Sequence, residues 1–317
     1  MKTPVLAGKV IPMKKKSFWA TLKKQKVLLF MSIPFIIHII VFKYIPIWGW
    51  TLAFQNYWPG KGFLQQVWVG LDNFRWLFND PVFYQVLRNT LAMSIIQLVF
   101  GMLSSITLAL IINEVRIVIF KKTAQTISYL PHFISWVVAA NLVRDVLSTD
   151  GGIVNEVLMK LKLIEEPIMF LGIPKLFWWI IGASYVWKEV GWGAIIYLAA
   201  IASIDPNLYE AATIDGAGRL RRIWHITLPS IQPIIVILLI MNMGYLLSSG
   251  FEHQYLLQNG RVIDYARVFT IYELDYGIKM MRYSFATAVG IFRSVVSLVL
   301  VFAANYLAKR LGQERLL

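Results

Sequence analysis

The chain is 317 residues long, room for one or two soluble domains or for about six membrane-spanning helices. Hydrophobic residues make up 58% and charged residues 15%, which argues against a soluble globular fold, against disorder, and against collagen or coiled coil. A net charge of +14 does not by itself point to nucleic acid, because membrane proteins gather Lys and Arg in cytoplasmic segments; the absence of cysteine removes disulfide scaffolds, thiolate metal sites and cysteine nucleophiles.

Residues 1–26 are polar and carry eight lysines. The uncharged run Val27–Phe42 follows. It resembles a signal peptide, but no small-residue cleavage site comes after it, so it reads as an uncleaved first span over 27–52 with Pro34 and Pro46 as kink points. Residues 69–89 place Leu71, Phe74, Leu77 and Phe78 at helical spacing and predict one amphipathic helix at the outer interface, with Asp72 as its cap. Five more spans are predicted over 89–113, 123–147, 174–204, 230–251 and 283–308, each long enough for the ~20 residues that cross a ~30 Å hydrocarbon core. The fold class is therefore all-α and polytopic, a six-helix transmembrane domain over 27–310. With the N-terminus placed inside, the inside segments hold 17 basic residues and the longer outside segments 9, so both the 1–26 segment and the 311–317 tail are expected in the cytoplasm.

One inside segment, 203–233, is patterned beyond the needs of a connection. Asp205 is a good N-cap and Pro206 suits the first helical position. Leu208, Ala211, Ala212 and Ile214 give an apolar stripe with Glu210 at its side, and Asp215-Gly216 with Gly218 break the helix. A second amphipathic helix carries Arg219, Arg221 and Arg222 on one flank and Leu220, Ile223, Trp224 and Ile226 on the other, and Pro229 is expected to end it. Such a helix–turn–helix suits docking to a soluble partner.

The spacing Glu210-Ala211-Ala212, three residues, Gly216, nine residues, Ile226, one residue, Leu228-Pro229 resembles the EAA loop of type I ABC importer permeases. Further stretches resemble the LplB-type subgroup that imports complex oligosaccharides: FKYIPIWGWTLAFQNY (42–57), WVGLDNF (68–74), INEV (112–115), QTISYLPHFISWVV (125–138), IIYLAAIASIDPNLYEAATIDGAG (195–218) and HITLP (225–229). The resemblance covers nearly the whole chain. It implies a heterodimer with a second related permease, two ATPase subunits beneath, of a shared sugar-importer type, and an extracellular binding protein that delivers the oligosaccharide. It also implies that Glu210, Gly216, Arg219, Arg221 and Arg222 couple to an ATPase, with Leu220 and Trp224 as apolar anchors; Ala211, Ala212, Asp215 and Gly218 belong to the same motif. ATP and Mg would then be bound by the partner ATPase, and none by this chain.

The residues agree with a non-catalytic role. No G-x-x-x-x-G-K-[ST] and no HExxH occur, and the histidines at 38, 132, 225 and 253 are scattered, so no metal set is expected. Charges at membrane depth are costly and mark function. Lys188 and Glu189 lie midway through the fourth span, Arg293 about three turns into the sixth and Arg144 near the outer end of the third. Lys188 and Glu189 have three readings: each pairs with a charge on another helix, they line or gate a pathway, or they snorkel to water, which mid-span placement disfavours. Adjacent residues diverge by about 100° on a helix, so pairing with each other is not their best geometry. Among the nearby aromatics, Trp178 and Trp179 read as interface residues, while Tyr185 and Trp192 read equally as packing or as sugar-stacking surface. Lys188, Arg144 or Arg293 would present positive charge to a uronate-containing fragment. The rival readings are the same architecture with a non-sugar cargo, an integral membrane glycosyltransferase, which needs a cluster of acids at a membrane face that the sequence lacks, and a stand-alone secondary transporter, which has no use for a patterned docking loop.

Overall fold

The computed structural model describes residues 24–248, 250–310 and 312. The first 23 residues and the last five, expected to be cytoplasmic, lie outside the described residues. The chain forms two units, residues 1–51 and 52–317. In the first, helix α1 (Lys26–Ile39) runs into a π turn (Ile40–Tyr44) and then the start of a 3-10 stretch (Ile45–Phe54), whose last three residues belong to the second. Pro34 sits inside α1, and Phe30, Phe35 and Phe42 are exposed, as suits a helix whose solvent is lipid.

After the 3-10 stretch comes a two-residue antiparallel pair, β1 (Gln55–Asn56) with β2 (Val67–Trp68), in the register Gln55 to Trp68. The expected single helix over 69–89 is two. Helix α2 covers Asp72–Asn79, and α3 covers Pro81–Glu114. Asp72 does not cap α2; it lies in the first turn and pairs with Arg75 at 3.1 Å. The cap is Asp80, whose carboxylate accepts from the Val82 amide at 3.0 Å, with Pro81 at the first helical position. That Asp-Pro signal starts the long helix eight residues earlier than the apolar run does. The Asp80 carboxylate also accepts from the Tyr272 and Tyr276 hydroxyls, fixing the end of α3 against a later loop.

The region expected as one span over 123–147 is a broken helix. α4 (Val118–Tyr129) tightens into a 3-10 turn (Leu130–Phe133), and α5 (Trp136–Val146) leaves at 102° to it. Pro131 cannot continue the α-helical ladder, and Ser135, extended, caps α5 through the Val138 amide. A short α6 (Ile153–Lys160) precedes α7 (Pro174–Ala202). α7 packs along α3 so closely that a Cβ on Gly182 would collide with the Ile96 side chain, and one on Gly191 with the Ser128 carbonyl of α4. Small residues at such contacts let membrane helices approach without a hydrophobic driving force.

After α7 come α8 (Pro206–Ile214), α9 (Arg219–Arg222), a π turn (Ile223–Thr227) and α10 (Leu228–Tyr245). Three short helices, α11 (Glu252–Leu257), α12 (Ile263–Ala266) and α13 (Phe269–Glu273), fold before the final helix α14 (Tyr283–Arg310). One apolar cluster joins Phe83, Phe269, Tyr272, Phe285 and Val289; a second joins Met93, Phe177, Ile181 and Leu257; a third joins Ala109, Ala194, Tyr197 and Ile231.

Among the described residues, four helices are long and apolar enough to cross a membrane: Lys26–Phe54, Pro81–Glu114, Arg219–Tyr245 and Tyr283–Arg310. The bent pair adds a fifth if its arms form one span. At 29 residues, or about 44 Å, α7 has the length of another, but it carries Lys175, Lys188 and Glu189.

Candidate functional site

Two places on the chain draw the sequence-predicted residues together, and α7 leads from one to the other. The first is the 205–229 loop. The Asp205 carboxylate accepts from the Asn207 amide at 3.0 Å and Pro206 opens α8, as its sequence predicts. The turn depends on Gly216 at φ +74°, a left-handed conformation that costs glycine little. The Ala217 amide donates back to the Ala212 carbonyl at 2.8 Å, closing the end of α8 as C-terminal glycine motifs do. Gly218 is extended, and needs no special freedom.

The second arm departs from expectation. Pro229 does not end it; the helix continues from Arg219 to Tyr245. The π turn is the reason. The Leu228 amide bonds the Ile223 carbonyl five residues back, and this widening just before Pro229 accommodates a residue with no N–H to give. The arm is thus one piece with a spanning helix. Arg222 donates to the Thr213 hydroxyl at 3.0 Å, and the Tyr209 and Thr227 hydroxyls meet at 2.9 Å, so the two arms are tied. Arg219 lies 3.9 Å from Glu114 at the end of α3. Glu210, Ala211, Asp215 and Arg221 are exposed, and Ala212 is half-buried. Ile214 is 87% exposed, Leu220 73% and Trp224 66%, so these three apolar side chains are left uncovered by this chain, while Ile223 and Ile226 are half-buried.

The second place is a cleft of about 430 Å³ between α3, α7 and α10. Tyr185, Glu189 and Trp192 line it, with Gln97, Ser94, Asn242 and Tyr245 opposite or beside them. Lys188 does not line it. Its side chain is 5% exposed and lies behind the wall, where Nζ donates to the His132 carbonyl at 2.8 Å and meets Glu189 at 3.1 Å. Lys188 and Glu189 therefore do pair with each other, against the expectation from helical spacing. The flexible lysine stem covers the angle between them, and both ends are held by a third residue. That residue is His132, whose Nδ1 is 2.7 Å from the other Glu189 oxygen and whose ring stacks on Trp192 at 4.5 Å and 4°. Lys188 also lies 5.0 Å from the centre of the Trp136 ring, which stacks on His253 at 4.1 Å; the His253 Nε2 is 2.7 Å from the Ser184 hydroxyl.

His132 and His253 had no visible partners in the sequence, yet both converge on Lys188. The break in α4–α5 places His132 and Trp136 on either side of the bend, facing α7, and His253 reaches Trp136 and Ser184 from α11. The one sequence signal was Pro131-His132 inside an otherwise apolar run. The remaining candidates lie elsewhere. Arg293 pairs with Glu273 at 3.4 Å, and Arg144 donates to the Leu256 carbonyl beside a separate pocket. Neither lines the cleft with Tyr185, Glu189 and Trp192. No group of three or more His, Cys, Asp or Glu is placed to hold a metal among the described residues.

A bundle of membrane-spanning helices, a cleft walled by aromatic and amide side chains, and a two-armed loop with uncovered apolar residues together make a permease subunit. Residues 97–313 match the family described as binding-protein-dependent transport system inner membrane component, and the chain belongs to it. It is a transport subunit of the ABC class, not an enzyme. It is 46% identical over 301 residues to the polygalacturonan/rhamnogalacturonan transport system permease protein YteP of Bacillus subtilis (strain 168), covering 95% of this chain and 93% of that one. Protein LplB of the same organism is 43% identical, covering 99% and 96%. A crystal structure of a bacterial ABC transporter involved in the import of the acidic polysaccharide alginate superposes with a TM-score of 0.85 at 42% identity, covering 92% of this chain and 98% of that one. A second, of the bacterial alginate transporter in complex with an alginate pentasaccharide-bound periplasmic protein, gives 0.86 at 40% identity, covering 94% and 99%.

Proposed function

We propose that this chain is one of two permease subunits of an ATP-driven importer of oligosaccharides, products of polysaccharide breakdown with uronate-bearing fragments among them. In this reading it crosses the membrane six times, α7 and the bent α4–α5 pair included, with both termini in the cytoplasm. An extracellular binding protein delivers the sugar, a second related permease completes the pathway, and two ATPase subunits bind and hydrolyse ATP. Glu210, Ala211, Ala212, Asp215, Gly216, Gly218, Leu220, Arg221, Arg222 and Trp224 form the coupling element. Tyr185, Glu189 and Trp192 offer the sugar aromatic faces and hydrogen-bond acceptors. Arg144 and Arg293, placed away from the cleft, serve as pathway residues only if the route extends past it.

The observation that carries this reading is continuity. α7 holds the cleft residues and leads, three residues after its end, into the first arm of the loop; the second arm is continuous with α10, which also lines the cleft. A push on the loop therefore reaches both walls of the cleft through helices. The names of relatives and structural neighbours supply the sugar. The test is to affinity-tag the chain in its native membrane, solubilise it gently and identify what co-purifies. An ATPase, a second polytopic permease and a sugar-binding protein are expected. A chain that emerges alone, from membranes retaining other intact ABC complexes, would overturn the reading.

A further inference from the structure

Glu189 is the single formally charged side chain among the described residues lining the cleft. Its neighbours there are aromatic, amide, hydroxyl or aliphatic. A lone carboxylate on that wall would repel a uronate, because like charges a few ångströms apart repel, and more strongly near a protein wall than in bulk water. The structure answers this from behind. The Lys188 ammonium is buried outside the cleft and meets one Glu189 oxygen at 3.1 Å, while His132 holds the other at 2.7 Å. The His132 carbonyl, at 2.8 Å, fixes the ammonium in place, and the Trp136 face lies beside it. Two further cations in or beside the spans are engaged away from the cleft, Arg293 with Glu273 and Arg144 with the Leu256 carbonyl. A buried ion pair is weak support for stability, and a charge in a membrane helix is costly, so this pair calls for a role beyond packing.

We propose that Lys188 is a specificity-determining residue that never touches the sugar: it cancels the Glu189 charge from behind the wall, leaving a cleft that passes uronate-bearing oligosaccharides. The sugar contacts Glu189, Tyr185 and Trp192; Lys188 acts through Glu189. This rests on the import reading above.

The test uses the whole complex in proteoliposomes with its binding protein. Uptake of a galacturonate trisaccharide is compared with uptake of its fully methyl-esterified, uncharged counterpart. K188M removes the compensating charge while keeping a long stem, and the acid-to-ester uptake ratio should fall roughly tenfold. E189Q leaves the ammonium behind a neutral wall, and the ratio should rise. The double variant K188M/E189Q should return it to near the wild-type value. A K188M loss equal for both sugars, or a double variant no better than K188M on the acid, makes Lys188 a packing residue and overturns the proposal. If the wild type takes only the acid, recovery in the double variant decides on that sugar alone. If K188M does not assemble, E189Q and the double variant decide: a higher acid-to-ester ratio in E189Q than in K188M/E189Q supports the proposal, and equal ratios overturn it. A wild-type complex that imports neither sugar refutes the oligosaccharide reading itself.

Discussion

The two ends of the α7 path are built on opposite principles. Around Lys188 and Glu189 the polar groups find partners inside the chain: a carbonyl, a histidine, a neighbouring charge and two stacked indoles. In the 205–229 loop the backbone is equally well specified, by a cap, a left-handed glycine and two ties between the arms. Its side chains, however, are left unfinished, with Leu220 and Trp224 held out on a frame that does not bury them. Buried polar groups inside a membrane must be satisfied where they are. A surface rigid in backbone and bare in side chain is built to be completed by another protein. The difference separates changes that damage this chain from changes that damage only its assembly.

The largest effect is expected from Gly216→Pro. Proline holds φ near about −65° and has no N–H, so it fits neither the φ of +74° nor the bond from the Gly216 amide to the Thr213 carbonyl. The turn would open and the arms part. Uptake should fall to background while the amount of protein in the membrane stays normal, measured by transport and by immunoblot of the same vesicles. Glu210→Lys, a charge reversal at an exposed site, should do the same. Normal transport by either variant would remove the loop from the coupling path.

Gly191→Ala addresses the other region. A Cβ there meets the Ser128 carbonyl, which belongs to the helix leading into the break. Forcing α4 and α7 apart would strain the anchor of His132 and cost about 1–3 kcal/mol, as overpacking typically does. The expected result is a lower thermal midpoint of the purified chain in detergent. An unchanged midpoint would show that the contact between α4 and α7 gives way freely, and that the region is less finished than its hydrogen bonds imply.

The two regions also differ in how legible they were. The loop was readable because its determinants are local: Asp205 and Pro206 start it, Gly216 turns it, and all lie within a dozen residues. Its one misreading, Pro229 as a terminator, came from treating a proline as a stop when a π turn upstream had already made room for it. The start of α3 was missed because the apolar run was followed instead of Asp80-Pro81, which is also a local signal. The knot at Lys188 was out of reach for a different reason. It is assembled from residues more than fifty positions apart, and it depends on a 102° bend that no periodicity in 123–147 announces. Helical spacing argued correctly that Lys188 and Glu189 point apart, and still failed, because a long side chain and a shared histidine override the angle. Arg293 was read as a charge offered to the sugar, and its partner Glu273, on a short helix outside the spans, was not visible in the sequence.

Trp224→Ala is expected to act on assembly alone. The side chain is exposed, so the chain's own thermal midpoint should not move. Its loss should weaken retention of the ATPase by roughly 1–2 kcal/mol, about tenfold, as for an aromatic anchor at an interface. Co-purification through increasing wash stringency reads this directly. A shift in the midpoint without a loss of ATPase would reverse the assignment, making Trp224 part of this chain's own fold.

The smallest effect separates frame from surface within the loop. Asp205→Ala removes the cap that accepts from the Asn207 amide and side chain, at a cost of about 1 kcal/mol to the first turn of α8. The apolar anchors Leu220 and Trp224 are left untouched. If the loop couples by rigidity, a frayed α8 transmits less of each stroke, and the number of sugars moved per ATP hydrolysed should fall while the ATPase stays bound. If the loop serves only as an adhesive patch, the ratio should hold, because Leu220 and Trp224 stand on the second arm, whose helix is continuous with α10 and independent of this cap. Measuring uptake and hydrolysis on the same proteoliposomes distinguishes the two. The continuity of the second arm with a spanning helix, and the two ties that bind the first arm to it, predict the fall in coupling.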